Sequence, residues 1–367
     1  MKRVGIIGTG LIGGSIALAL KKRAGDKFFI SGFDLSQTTL ERARLAGAID
    51  KPCATIAELV SSSDIIVVAT PLEAIEPVFE AVASHIGENQ VITDVCSLKK
   101  PVQDLAEKIF PDSSLFVGGH PMAGSEKGGF DAAHHELFVG RSYILTPTAK
   151  TSEKALAEIS GLIRVLGARP VILSPDEHDF AVAYSSHLTH VISWSLVAVA
   201  AKHRTAEIGA RFGGPSYRDM TRVAMAPPEM WSSILKGNKQ HVLRAIELFE
   251  RELQEFKQKI ERGDAAELAN MITPIREKRF EIYRSYEPEG KIYRLEVVLP
   301  NRPGQLARVA SLLSSEGINI ENIEMVHGEG QGLLFVDIIG EETADKALKL
   351  LLQKGFEAAI ETGGGEQ

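Results

Sequence analysis

The sequence predicts an α/β protein in three parts: a parallel-sheet domain over 1–174, an all-helical domain over 175–288 and a small α+β module over 291–363. Three observations carry this. In the first half, short apolar runs at Arg3–Ile7, Phe28–Phe33, Ile65–Ala69, Val91–Thr93, Leu115–Val117, Tyr143–Leu145 and Pro170–Leu173 alternate with amphipathic stretches such as Ser36–Ala46, Val102–Ile109 and Glu153–Leu166. Strands apolar on both faces and joined by helices form a mostly parallel sheet covered on both sides. From about Pro175 the strand signal stops. Long helical patterns at Asp176–Ala201, Met230–Arg262 and Ala265–Tyr283 replace it, interrupted by the glycine-rich GARFGGPSYRDM. Helices this apolar bury against other helices, here across a homodimer interface. After the polar connector SYEPEGK the chain reads strand, helix, strand, strand, helix.

Composition excludes several classes. Of 367 residues, 44% are hydrophobic and 24% charged, with 41 basic against 48 acidic side chains and a net charge of −7. That is ordinary for a globular protein. No basic block stands out, so nucleic acid is not the expected partner. Cys53 and Cys96 are too few for a disulfide framework and suit a reducing compartment. The apolar stretch Val191–Ala201 contains Ser193 and Ser195 and is too short to span a bilayer. The opening MKRVGIIGTG enters a strand directly, without a secretory leader. The expected location is the cytoplasm, with no membrane partner.

The first strand runs into VGIIGTGLIGGS, which sets Gly8, Gly10 and Gly13 as G-x-G-x-x-G, with Leu11 and Ile12 opening a helix. The first glycine allows the tight turn. The second lets a pyrophosphate approach the helix N-terminus. The second strand ends at Asp34, where an acid bonds a ribose 2′-hydroxyl and repels a 2′-phosphate. The first domain therefore reads as a Rossmann-type domain for NAD rather than NADP. Thr70 and Pro71 follow the next strand, at the carboxyl edge where ligands lie in such sheets; a helix cap is the other reading of Thr70. Ser97, after the following strand, either reaches the ligand or caps a helix from Lys99.

VGGHPMAGSEKGGFD holds His120, Glu126 and Lys127 in a loop at the same sheet edge. A histidine there is mostly neutral at cytoplasmic pH and accepts a hydrogen bond from a substrate hydroxyl. His134 and His135 sit in DAAHHELF, a helix pattern, as surface or packing residues. His187 and His190 share one helix face, but no third ligand at suggestive spacing accompanies them, so no metal is expected. Asp219, Arg222 and Trp231 lie in YRDMTRVAMAPPEMW. The arginine fork matches a carboxylate, and Trp231 can wall a pocket; a surface salt bridge is the plainer alternative.

GxGxxGGS, TDVCSLK, HPMAGSEKGGF, SHLTH and RDMTRVAMAPPEMW, in this order, resemble prephenate dehydrogenase from Met1 to about Tyr286. LPNRPGQLARVASLLSSEGINIENI resembles an ACT domain, a ligand-sensing βαββαβ module, and no chorismate mutase region is visible. The resemblance implies oxidative decarboxylation of prephenate with NAD, giving 4-hydroxyphenylpyruvate. It assigns catalysis to His120 with Ser97 and the substrate carboxylate to Arg222, with Glu126, Lys127, His190, Asp219 and Trp231 around them as substrate-binding residues. It also implies tyrosine as a feedback effector held by Asn301, Gly304, Gln305, Leu306, Asn319 and Ile320, the last two on the facing strand. Alternatives are an arogenate or cyclohexadienyl dehydrogenase, a β-hydroxyacid-type dehydrogenase, and a non-enzymatic sensor of NAD and an amino acid.

Overall fold

A computed structural model describes residues 1–110, 112–124, 128–283, 292–327 and 330–360. The chain divides into two compact units, Met1–Gln254 and Glu255–Gln367.

The first unit is built on a sheet of eight strands: β1 (Lys2–Ile7), β2 (Phe28–Phe33), β3 (Lys51–Pro52), β4 (Ile65–Val68), β5 (Val91–Asp94), β6 (Phe116–Pro121), β7 (Ser142–Thr146) and β8 (Arg169–Ile172). Their order is β3-β2-β1-β4-β5-β6-β7-β8, parallel throughout except between β6 and β7. The first six follow the dinucleotide-binding order, which reverses direction between β1 and β4 and opens a crevice there. Alternate side chains feed two cores. Val4, Ile6, Ile30, Val67 and Val117 pack beneath the helices Leu11–Ala24 and Glu153–Val165. Ile7, Val68, Ile92 and Phe116 pack beneath Ile75–Ala83 and Lys100–Ile109, where Phe79 meets Phe110 and Phe116 at ring separations of 4.8 and 5.5 Å. Helix starts are marked locally. Ser36, Thr55 and Ser152 accept backbone N–H bonds as N-caps, and Ser174 with Glu177 forms a capping box.

Several expectations change in detail. β3 carries no apolar run, so its pattern is silent. β6 continues to Pro121, which puts His120 in a strand rather than in the loop after it, because β7 pairs with it antiparallel as far as Pro121–Tyr143. His134 and His135 are not helical. Phe130 packs on Gly14, and the His134 N–H is taken by Ser15 Oγ at 3.0 Å, which diverts the backbone from helical bonding. The pattern Asp176–Ala201 becomes Pro175–Val182, a π-helical turn Ala183–His187 and Leu188–Lys202. Met230–Arg262 divides at Asn238 into Pro228–Gly237 and Lys239–Arg262. GARFGGPSYRDM is mostly helical, within Arg204–Arg211 and Pro215–Thr221; only the pair of glycines and Phe212 break it, and Pro215 restarts the helix at its first turn.

The second unit holds the helix Ala265–Tyr283 and a four-stranded antiparallel sheet: β9 (Ile292–Pro300), β10 (Asn322–His327), β11 (Gln331–Ile339) and β12 (Glu357–Ile360), in the order β10-β11-β9-β12. Leu295, Val297 and Leu299 alternate inward with Leu334, Val336 and Ile338, against Val309 and Leu313 of Gln305–Ser315 and Ala344, Ala347 and Leu351 of Glu341–Gln353. The chain order βαββαβ is that of an ACT module. Asn319 and Ile320 precede β10 instead of lying on a strand. The Asn319 amide bonds Glu321 at 2.5 Å and Ile320 packs on the core, so pairing starts only at Asn322.

Candidate active site

The glycine loop connects β1 to Leu11–Ala24. Gly8 has φ +92°, and a Cβ there would lie 2.4 Å from the Ala69 carbonyl; a Cβ on Gly13 would lie 1.9 Å from the Gly8 carbonyl. Both glycines are demanded by the protein itself. Gly10 is different: nothing stands within 4 Å of its Cβ position, and as N-cap it offers no side chain to the first-turn N–H groups of Leu11 and Ile12. Those donors and that open surface suit an anion. Asp34 stands beside the loop, its Oδ2 accepting from Thr9 N and Oγ1 at 2.8 and 3.1 Å and its Oδ1 from Ser36 N at 2.9 Å. Across the crevice, Thr70 Oγ1 is buried with no hydrogen-bond partner, and Pro71 leads into the turn Leu72–Ala74. Thr70 is therefore not a cap. The open Gly10 and the orphaned Thr70 hydroxyl both fit a dinucleotide laid over the loop.

One turn of sheet away, the ends of β5 and β6 are tied together. The ammonium of Lys99 is fully buried, paired with Asp94 and donating to the Gly119 carbonyl at 2.6 Å. Asp94 in turn accepts from the backbone N–H of Cys96 and Gly119 at 2.9 and 3.1 Å. This bracket holds the strand that carries His120. His120 Nδ1 meets His178 Nε2 at 2.8 Å, and His178 Nδ1 meets Asp179 Oδ1 at 2.8 Å. Asp179 also accepts from Lys99 N and Lys100 N at 2.8 and 2.9 Å, and so caps the helix Lys100–Ile109 from outside it. Ser97 is thus not that helix's cap; it lies partly exposed at the sheet edge. Burial pushes the Asp179 carboxyl up, but hydrogen bonds from His178 and the two backbone N–H groups outweigh it, leaving the group below the usual range. His120 is held well below 6.5, chiefly by burial.

The helical part supplies a wall. Trp231, 7% exposed, packs with Leu98 and with Leu72, the neighbours of Ser97 and Pro71. Its ring stacks on His190 at 3.6 Å and meets His187 and Trp194 edge-on. His190 Nδ1 donates to the Ser186 carbonyl at 2.9 Å. Burial lowers its pKa, the carbonyl opposes this, and the nearby charge of Arg222 lowers it further. Asn238 bridges the Asp179 carbonyl, at 2.7 Å, and His187, at 3.3 Å.

His190, Trp231 and the charge of Arg222 thus lie together in the helical part, Leu98 joins Trp231 to the segment that holds Ser97, and His120 stands near the end of β6. Asp219 is exposed on Pro215–Thr221, and Glu126 and Lys127 lie outside the described residues. Asp94, Lys99, His178, Asp179 and Asn238 were not anticipated. The signal for the first four lies in TDVCSLKK and SPDEHDF, where charged residues follow strand patterns without an obvious solvent-facing period; Asn238 carries none.

Gly10→Ala is expected to leave thermal stability within about 0.5 kcal/mol while weakening NAD binding by tenfold or more, about 1.4 kcal/mol. Gly13→Ala costs about 1–3 kcal/mol of stability or more through overpacking. Melting curves paired with NAD titrations separate the two. The histidines set a pH dependence. Burial lowers His187 to about 4 and holds His120 below 6.5, so both are neutral and what they contribute to stability is fully present above pH 6.5. As pH falls below that, the unfolded chain binds protons that the folded one refuses, and each group costs about 1.4 kcal/mol per pH unit. His187→Gln should remove its share of the slope of urea-unfolding stability between pH 6.5 and 4, leaving that of His120.

Three family models match the chain: the prephenate dehydrogenase nucleotide-binding domain at 16–179, the prephenate dehydrogenase dimerization domain at 174–273 and the ACT domain at 293–356. The prephenate dehydrogenase of Bacillus subtilis is 35% identical over 329 residues, 88% of this chain and 87% of its own. The prephenate dehydrogenase of Aquifex aeolicus, solved with hydroxyphenyl propionate and NAD+, superposes with a TM-score of 0.71 at 32% identity over 77% of this chain and 98% of its own. Synechocystis arogenate dehydrogenase superposes with a TM-score of 0.70 at 28% identity, covering 76% and 99%. The fold and these matches together make the chain a member of the prephenate dehydrogenase family, in a form that carries an ACT domain.

Proposed function

We propose that the chain oxidatively decarboxylates prephenate to 4-hydroxyphenylpyruvate and carbon dioxide, with NAD as its redox cofactor. NAD bound over Gly8, Gly10, Leu11, Ile12 and Gly13, with Asp34 on its ribose and Thr70 and Pro71 beside it, supplies the hydride acceptor. The observation that carries the reading is His120: a neutral imidazole at the end of β6, near the nucleotide crevice, whose Nε2 bonds no described residue. Loss of hydride from the ring carbon builds positive charge on its hydroxyl. His120 accepts that hydroxyl's hydrogen bond and stabilises the charge as it grows. Aromatisation drives departure of the ring carboxylate, so little further acid–base work is needed. Arg222 holds a substrate carboxylate. Ser97, His190, Trp231 and Asp219 line the pocket; the roles of Glu126 and Lys127 rest on the family motif alone, since both lie outside the described residues.

The three parts act as 1–174, 175–288 and 291–363. Exposed apolar residues of the helical part, among them Val199, Phe212, Leu243 and Phe249, support a homodimer. No described helix is long and apolar enough to cross a membrane. We read the enzyme as cytoplasmic. Arogenate, which has an amino group in place of the keto group, is the competing substrate, and the Synechocystis relative keeps that reading open.

NADH formation from prephenate, compared with arogenate in the same assay, tests the substrate. His120→Asn should lower kcat by about 10²–10⁴-fold with little change in KM. Undiminished turnover in the folded variant removes His120 from the mechanism. Tyrosine is read as an effector at Asn301, Gly304, Gln305, Leu306, Asn319 and Ile320; Gly304, at φ +86°, opens the helix Gln305–Ser315 toward solvent. A coupling of about 1–3 kcal/mol would be enough for feedback. Truncation near Glu289 should abolish inhibition by tyrosine, and equal inhibition of both forms would make tyrosine an active-site competitor.

A further inference from the structure

The contacts behind His120 carry a conclusion that the pocket-lining residues do not. Asp179 is ionised and accepts three hydrogen bonds, from His178 Nδ1 and from the backbone of Lys99 and Lys100. A carboxylate only accepts, so the shared proton sits on His178 Nδ1. His178 is fully buried. A neutral imidazole carries one proton, so with Nδ1 donating to Asp179 its Nε2 is a bare acceptor. The 2.8 Å contact with His120 then requires His120 Nδ1 to donate. That leaves His120 Nε2 without a proton, as a lone-pair acceptor.

We infer that His178 and Asp179 are positioning residues that fix the tautomer of His120, so that its Nε2 is held as an acceptor for the substrate hydroxyl. The inference rests on the catalytic reading of His120 given above. The chain of contacts begins at a helix N-terminus, whose first-turn donors face the Asp179 carboxylate. It ends at the reacting hydroxyl. Every link is a two-centre choice between donor and acceptor, and only the first is fixed by a group with no choice. The ionised Asp179 therefore dictates the proton position on two rings at once. As positive charge grows on the substrate, the same chain offers His120 Nδ1–H a neutral acceptor backed by an anion, which stabilises partial proton transfer to Nε2. The groups facing His120 are His178 from the helix Pro175–Val182, His187 from the π-turn and Lys99 from the turn before Lys100–Ile109.

The test uses the full chain labelled with ¹⁵N-histidine, with NAD+ present, at mildly alkaline pH. The His120 ring is assigned by the signals lost in His120→Asn. The expected spectrum has a protonated Nδ1 and a bare Nε2 on His120. In turnover, His178→Phe keeps ring volume but removes the acceptor, and should lower kcat by about 10²-fold with KM for prephenate nearly unchanged. His178→Gln retains an oxygen that can accept from Nδ1–H, and should recover about tenfold or more of that loss. A proton on His120 Nε2 in the unsubstituted enzyme overturns the inference whatever the variants do. So does full activity in His178→Phe when His120→Asn is inactive, an outcome that leaves the catalytic reading standing. Normal turnover by His120→Asn instead takes down the catalytic reading, and this inference with it.

Discussion

The active edge of the sheet depends on one buried ion pair, Lys99 with Asp94. Taking both charges out of water costs several kcal/mol per ion, and only close geometry with further hydrogen bonds offsets it. Here the remaining capacity is used: Asp94 also receives the N–H groups of Cys96 and Gly119, and Lys99 also donates to the Gly119 carbonyl. Gly119 is thus gripped by both its N–H and its C=O. A side chain there would bring Cβ within 2.6 Å of the Asp94 carbonyl, so the residue preceding His120 is glycine by necessity. Apolar replacements of equal volume can match the stability of such pairs. They cannot hold β5 and β6 at a fixed separation through directed bonds, and that separation sets where His120 stands.

From this bracket the site extends in two directions. Toward the crevice lie Gly10 and Thr70, an open backbone position and a hydroxyl without a partner. Toward the helices, Lys99 and Lys100 pass their N–H groups to Asp179, which carries His178 and is tied by Asn238 to His187. The sheet and the helical wall are therefore joined by polar contacts that are satisfied almost without exception. A network of this kind specifies a single arrangement because any half-made state leaves a buried polar group unpaired.

Much of this was legible in the sequence, for reasons that differ by element. The strands of the nucleotide domain read correctly because fully apolar runs between helical periods have few other solutions. G-x-G-x-x-G was informative because a strand precedes it and a helix follows it. Motif blocks pointed to His120, Arg222 and Trp231. The two-residue β3 has no pattern to read. The extension of β6 through His120 depends on pairing with β7, a contact that local spacing does not encode. DAAHHELF has helical periodicity, but Ser15 captures its backbone. Lys99 and Asp179 look like ordinary surface charges in a one-dimensional string. Their burial becomes visible only when two distant segments meet.

The π-turn Ala183–His187 has its own consequence. In an unbroken α-helix, His187 would point about 180° away from His178, nine residues earlier. One π-turn absorbs a residue's worth of rotation, about 100°, and brings the two imidazoles toward a common side. Both now reach the same Asp179–Asn238 junction, His178 through its ring and His187 through the amide. The wide turn works as a phase adjuster between two stretches of helix, each with its own cargo of histidines. The chain's tolerance to length change should differ sharply along this helix. Adding a residue near Lys202 only shifts an outer end, and deleting one within 183–187 would restore regular winding with the phase of His187 kept, whereas adding one at 188–189 would turn His190 and its stacking on Trp231 by about 100°.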